Sequence, residues 1–213
     1  MTAAAVPEPV VPEPVTLDPA VPRPLSRDDR GGGPTDDERW MQRALREAET
    51  ALEAGEVPIG CVVVLGERVI GRGWNRVETT QDPTAHAEML AITAATSTLG
   101  HSRLIGARVY VTVEPCLMCA GALLLARVGE IVYGAPEPKF GAMGSRLCIQ
   151  DAEGFNHRYR VRGGVLAEES ASMLREFFRA LRKSGCGDGD GGHGDETGEE
   201  MFHRDPETGS PAG

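Results

Sequence analysis

Several features missing from this chain of 213 residues narrow what it can be. No stretch approaches the ~18 consecutive apolar residues of a membrane-crossing helix, so no membrane span is expected. The chain does not open with a basic start followed by an apolar block, so a secretory signal is not expected. The Arg- and Ser-rich, acid-poor look of a transit peptide is missing as well. Cysteine is scarce and odd in number, at five. A disulfide framework is therefore not expected, and a reducing cytoplasm fits better. No internal repeat is visible.

The net charge of −10 looks wrong for a nucleic-acid binder until it is divided along the chain. Residues 1–35 hold five acids and three bases, and residues 184–213 hold eight acids and one base. The middle, 36–183, holds nineteen acids and eighteen bases, so it is close to neutral and free to gather its arginines on one face. Residues 1–35 carry eight prolines and residues 184–213 nine glycines. Neither composition can build a core, so both read as disordered tails around one folded domain at 36–183.

Inside that domain the hydrophobic period alternates between helix and strand. Asp36 to Ala54 places Trp40, Ala44, Leu45, Ala48 and Leu52 on one stripe, with Thr35 or Asp36 as cap and Gly55 as stop. Ile59–Leu65 and Arg68–Trp74 flank a tight turn at Gly66-Glu67 and read as a hairpin. Thr84 to Thr98 reads as a helix, Val109–Val113 as a buried strand, Cys116 to Ala126 as a helix and Glu130–Tyr133 as a strand. Residues 134–158 are loop-rich with room for a short helix. Tyr159–Leu166 reads as a fifth strand, and Glu168–Lys183 as a last helix with Met173, Leu174, Phe177, Phe178 and Leu181 inward. A hairpin followed by alternating helices and strands implies an α/β fold, a three-layer α/β/α domain around a five-stranded mixed sheet.

Two strand-to-helix junctions carry the chemistry. One delivers His86-Ala87-Glu88 and the other Pro115-Cys116-Leu117-Met118-Cys119. The spacing predicts His86 in the first turn of one helix and Cys116 and Cys119 in the first turn of another, both thiols on one face. Two helix N-termini aimed at one place favour thiolate over thiol. One imidazole and two thiolates cancel the charge of a zinc ion and leave its fourth position open, as in a catalytic site. Zinc so held acidifies a water from about 15.7 toward ~7, on the order of 12 kcal/mol toward hydroxide. Glu88 is then placed to take the proton and return it to a ring nitrogen and to the departing amine. A lone Cys-x-x-Cys is often a redox pair or half of a structural zinc site. The first leaves His86 and Glu88 unexplained. The second needs another ligand pair, which Cys61, Cys148, Cys186 and the other histidines do not offer at ligand spacing. Cys61 sits in an apolar run and reads as a buried strand residue. The combined pattern matches the known signature of zinc nucleobase deaminases.

The match extends further. Asp82-Pro83-Thr84-Ala85-His86-Ala87-Glu88, with Glu114-Pro115-Cys116-Leu117-Met118-Cys119-Ala120-Gly121-Ala122, resembles the bacterial tRNA-specific adenosine deaminases of the TadA type, within the cytidine deaminase-like superfamily. So do Val57-Pro58-Ile59-Gly60, Gly73-Trp74-Asn75-Arg76, Gly141-Ala142-Met143-Gly144-Ser145, Phe155-Asn156-His157-Arg158 and Glu176-Phe177-Phe178. The resemblance spans about 36–183. It implies a zinc enzyme, one ion per subunit, that converts adenosine to inosine at the wobble position of a tRNA anticodon stem-loop as a homodimer. It implies His86, Cys116 and Cys119 as ligands, Glu88 as proton shuttle, Asn75 as a contact to the nucleoside, and Ala87 and Pro115 as pocket lining. Asn75 reads equally well as a turn residue after a strand. The chain departs from the family at Pro136-Glu137-Pro138-Lys139-Phe140, where relatives usually carry an aspartate and a smaller residue. Arg146, Arg158, Arg160, Arg162, Arg179, Arg182 and Lys183 form a candidate phosphate-facing patch. His157 could touch RNA, but tying down its loop is the favoured role, and His101 reads as surface. The competing functions are a deaminase of a free base or nucleoside, of guanine or cytosine type, and a silent zinc scaffold, which the presence of Glu88 disfavours.

Overall fold

The computed structural model describes residues 35–185. The Pro-rich tail, the Gly-rich acidic tail and Cys186 lie outside the described residues, apart from Thr35, Ser184 and Gly185 at their inner ends. The elements run α1 (Asp36–Glu53), β1 (Gly60–Leu65), β2 (Arg68–Trp74), α2 (Val77–Thr80), α3 (Ala87–Leu99), β3 (Arg108–Val113), α4 (Leu117–Leu125), β4 (Glu130–Ala135), a short 3-10 turn (Ile149–Asp151), β5 (Arg160–Arg162) and α5 (Ala167–Gly185). Among these no helix is long and apolar enough to cross a membrane.

The five strands lie in the order β2-β1-β3-β4-β5. β1 pairs antiparallel with β2 and β3, while β3–β4 and β4–β5 are parallel. The sheet is mixed, as the hairpin and the later alternation required. Alternation along β1 splits the core in two. Cys61 and Val63 join Ala87, Ala91, Ala120 and Leu123 from α3 and α4. Val62 and Val64 join Trp40, Met41 and Ala44 from α1. α5 packs over β4 and β3. Helices therefore cover both faces, the expected three layers.

Small residues set how close α3 comes to the sheet. A Cβ on Gly73 would lie 2.6 Å from the Ala87 carbonyl oxygen, and one on Gly71 2.4 Å from that of Ala91. Only hydrogen fits between β2 and α3 at these points, so the start of α3 is pinned beside the end of β2.

Several expectations change. Leu52 and Leu181, placed on inward stripes, are exposed. Each sits close to the C-terminal end of its helix. β5 is shorter than expected, because Gly163 and Gly164 follow it, the second at φ +89, and end the extended run. Tyr159 is buried in the core rather than paired in the sheet. The four-residue α2 was not expected, since it has no buried residue to give a stripe. α3 starts at Ala87 rather than Thr84, because Asp82 Oδ1 accepts from the Thr84 amide at 2.8 Å and holds a turn there.

Candidate metal and active site

His86 and Cys116 are not in the first turns of their helices. Each is the N-cap, in extended backbone, with ψ of 154° and 172°, and neither side chain caps its helix. Both side chains thus stay free to reach across the gap between α3 and α4. Cys119 lies in the first turn of α4, fully buried. The His86 Nδ1 atom is 3.7 Å from Cys116 Sγ and 3.5 Å from Cys119 Sγ. All three ligand atoms lie within 4.8 Å of one another. Tetrahedral bonds of about 2.0 Å to nitrogen and about 2.3 Å to sulfur require an N···S separation of about 3.5 Å. The observed 3.5 and 3.7 Å lie at and slightly above that value, so the donor set fits a small tetrahedral cation.

The electrostatics divide the two thiols. The hydrogen bond from Cys119 holds the Cys116 thiol down, to about 4, against burial, with His86 adding to the lowering. Thiolate is the form that ligates a metal. Cys119 is pushed up, first as donor to Cys116 and then by burial. His86 is raised, chiefly by its contact with Cys116. Glu88 is 4% exposed and hydrogen-bonds toward Cys119. Burial pushes its carboxyl above the ordinary value, which suits a group that must hold a proton as well as release one.

The deaminase family model of MafB19-like proteins matches residues 35–182. A tRNA-specific adenosine deaminase of Bacillus subtilis is 51% identical over 149 residues, covering 70% of this chain and 92% of that protein. The chain belongs to the family of tRNA-specific adenosine deaminases. A solved tRNA:A34 deaminase, from work on A-to-I editing at the wobble position of transfer RNA, is similar at a TM-score of 0.62 and 46% identity. The match covers 64% of this chain and 99% of that one. A guanine deaminase from Nitrosomonas europaea is similar at a TM-score of 0.57 and 25% identity, covering 66% of this chain and 83% of that one.

In this member of the tRNA-specific adenosine deaminases, the remaining candidate residues surround the His–Cys–Cys group unequally. Asn75 is 5% exposed, and its backbone amide bonds the Ile59 carbonyl at 2.9 Å. The next amide, of Arg76, bonds the Ala85 carbonyl at 3.0 Å, which draws Asn75 up to the segment entering His86. The Ala87 side chain is fully buried in the core. Pro115 is buried, and its carbonyl accepts from Ala142 at 2.9 Å.

Two buried acids escaped the sequence reading. Glu114 Oε1 accepts from the Met143 and Ser145 amides at 2.9 and 3.0 Å, and Oε2 from the Glu137 amide at 3.1 Å and from the Ser145 hydroxyl. It clamps the loop that follows β4, in which Phe140 is exposed. Glu56 Oε2 accepts from Asn75 Nδ2 and from the Glu78 amide, both at 3.2 Å, and Oε1 from the Thr79 amide at 2.5 Å. No local signal marks either acid, because their partners lie about twenty to thirty residues away in sequence.

Three members of the arginine patch have partners within the fold. Arg162 pairs with Asp37 and, at 2.8 Å, with Glu130, and Arg160 approaches Glu130 at 3.8 Å. Arg158 Nη1 donates to the Gln150 carbonyl at 2.9 Å. These three serve the fold. His157 Nε2 bonds the Val128 carbonyl at 2.8 Å, the loop-tying role, and His101 is exposed.

Glu56 also predicts acid sensitivity. Burial would raise its pKa, yet the bonds from Thr79, Glu78 and Asn75 outweigh it and hold the carboxyl below its ordinary value. The unfolded chain then binds the proton more readily than the folded one. The stability Glu56 contributes is present above the unfolded value and is lost as pH falls through the lower folded value. Urea unfolding followed from neutral pH to below about pH 4 shows this as a falling limb, and Glu56→Gln flattens that limb.

Proposed function

We propose that this protein is a zinc enzyme that hydrolyses adenosine to inosine at the wobble position of a tRNA anticodon, working as a homodimer in the cytoplasm. The observation that carries the reading is the tetrahedral spacing of His86 Nδ1, Cys116 Sγ and Cys119 Sγ beside buried Glu88. The zinc would be held by those three atoms and would supply Lewis acidity to the attacking water.

This chain's own residues do the rest. Glu88 takes one proton from the water and passes it to a ring nitrogen of the purine, then takes the second proton from the hydroxyl of the tetrahedral adduct and passes it to the amine, which leaves as ammonia. Asn75 offers an amide to the nucleoside. Ala87 and Pro115 close the pocket around the base with their backbone. An anticodon loop is already single-stranded, so turning one base into such a pocket costs only a few kcal/mol of unstacking. The dimer reading rests on the family likeness, and Leu117 and Leu125 of α4 are exposed apolar side chains that a second copy could cover.

The similarity to a guanine deaminase keeps one alternative in view, a free-base substrate. The test incubates the protein with an anticodon stem-loop and, separately, with free guanine, cytosine and their nucleosides. Inosine at the wobble position, read as guanosine on sequencing, is the expected result. Ammonia released only from the free compounds would replace this reading with the alternative.

A further inference from the structure

Glu56 is a charged carboxylate that is 1% exposed, and its hydrogen bonds come from the Asn75 carboxamide and the Glu78 and Thr79 amides, all of them neutral donors. Such a group is expensive to bury, and here three N–H donors offset the cost. Two of them are the Glu78 and Thr79 amides of the first turn of α2, a turn that Arg76 does not cap with its own side chain. The third is the Asn75 carboxamide. Glu56 itself follows the end of α1, where its amide bonds the Ala51 carbonyl at 2.9 Å. One side chain thus joins the end of α1, the end of β2 and the start of α2.

The bond to Asn75 has a directional consequence. A carboxamide can be turned over, exchanging its oxygen and nitrogen with little change in shape. Beside a carboxylate only one of the two settings is tolerable, because the other places two acceptors face to face. We propose that Glu56 is a positioning residue for substrate binding: it locks the Asn75 carboxamide so that the nucleoside meets the carbonyl oxygen and the one remaining N–H. This inference rests on the reading of Asn75 as a contact to the nucleoside. The ligand chemistry is that of a ribose hydroxyl or a base edge that pairs with a fixed acceptor–donor couple, and the reversed couple would not serve it.

Glu56→Gln separates positioning from simple support. The glutamine oxygen can still accept from the Thr79 amide, while its NH2, in the Oε2 position, loses the Glu78 bond, faces Asn75 and drives that amide to turn over. On the anticodon stem-loop, Glu56→Gln is expected to raise KM about tenfold with kcat little changed, the pattern of lost uniform binding. In an Asn75→Ala background the same substitution is expected to change KM less than about twofold, because there is no amide left to orient. Equal loss in both backgrounds overturns the proposal, as does wild-type KM for Glu56→Gln. Urea midpoints of all four proteins show whether folding is intact. If Glu56→Gln does not fold, Glu56→Asp, which keeps the charge and withdraws it by one carbon, goes through the same cycle with the same criteria. Failure of the underlying function looks different: the unmodified protein forms no inosine on the stem-loop. Full activity of Asn75→Ala on that substrate overturns the proposal through its premise.

Discussion

Glu88→Gln is expected to leave a folded protein with its metal content unchanged and a kcat lower by about 10² to 10⁴-fold. The substitution keeps the volume of a side chain that is 4% exposed, so packing changes little. What it removes is basicity. An amide can still hydrogen-bond toward Cys119, but it cannot take a proton from water or return one to a departing amine. The loss falls on kcat more than KM, because the proton moves only in the reacting complex. Single-turnover formation of inosine, with elemental analysis on the same sample, checks both halves. A variant with normal metal and normal rate would remove Glu88 from the chemistry.

Cys119→Ala is expected to abolish measurable deamination through a different route, the loss of the metal. Cys119 is fully buried at the first turn of α4, and its Sγ lies 3.5 Å from His86 Nδ1. Without it the site retains one nitrogen and one sulfur, too few to hold a four-coordinate ion. Losing even a group that merely orients a ligand costs about 10–100-fold in metal affinity, so losing a ligand should cost more. The expected outcome is less than stoichiometric zinc after dialysis, no inosine, and a far-ultraviolet spectrum like that of the unaltered protein. Activity surviving with no bound metal would count against the zinc reading as a whole.

The two substitutions separate because the site has two layers with different origins. Ligands act by holding charge in place, and Glu88 acts by moving it. A variant that keeps zinc and loses rate, beside one that loses both, is the pair of results the geometry requires.

Much of this was readable in the chain. The stripe Trp40, Ala44, Leu45, Ala48 found α1, and the apolar β-branched run Ile59–Leu65 found β1 to within one residue, because burial against a sheet demands those periods. The stripe failed at Leu52 and Leu181, since periodicity reports which side of a helix faces inward but not where the covered surface ends. The arginines late in the chain looked like a phosphate patch because charge is visible in sequence while its partner is not. Arg162 meets Asp37 and Glu130 only once β5 lies beside β4 and α1 crosses the sheet.

The residue types and local spacing at the centre were settled by the sequence. Cys119 lies three positions after Cys116, so any helix starting there puts both sulfurs on one side. Glu88, two residues past His86, was bound to stay near it. Tertiary structure alone decided that the imidazole and the thiols meet, since His86 lies thirty residues from Cys116. That meeting depends on β1 lying between β2 and β3, on α3 and α4 packing against the same face, and on glycines that let α3 approach β2. Tertiary structure also placed Glu56 against Asn75, for the same reason. A hydrogen bond between distant segments has no period and no motif, and it exists only after the sheet has brought its two ends together.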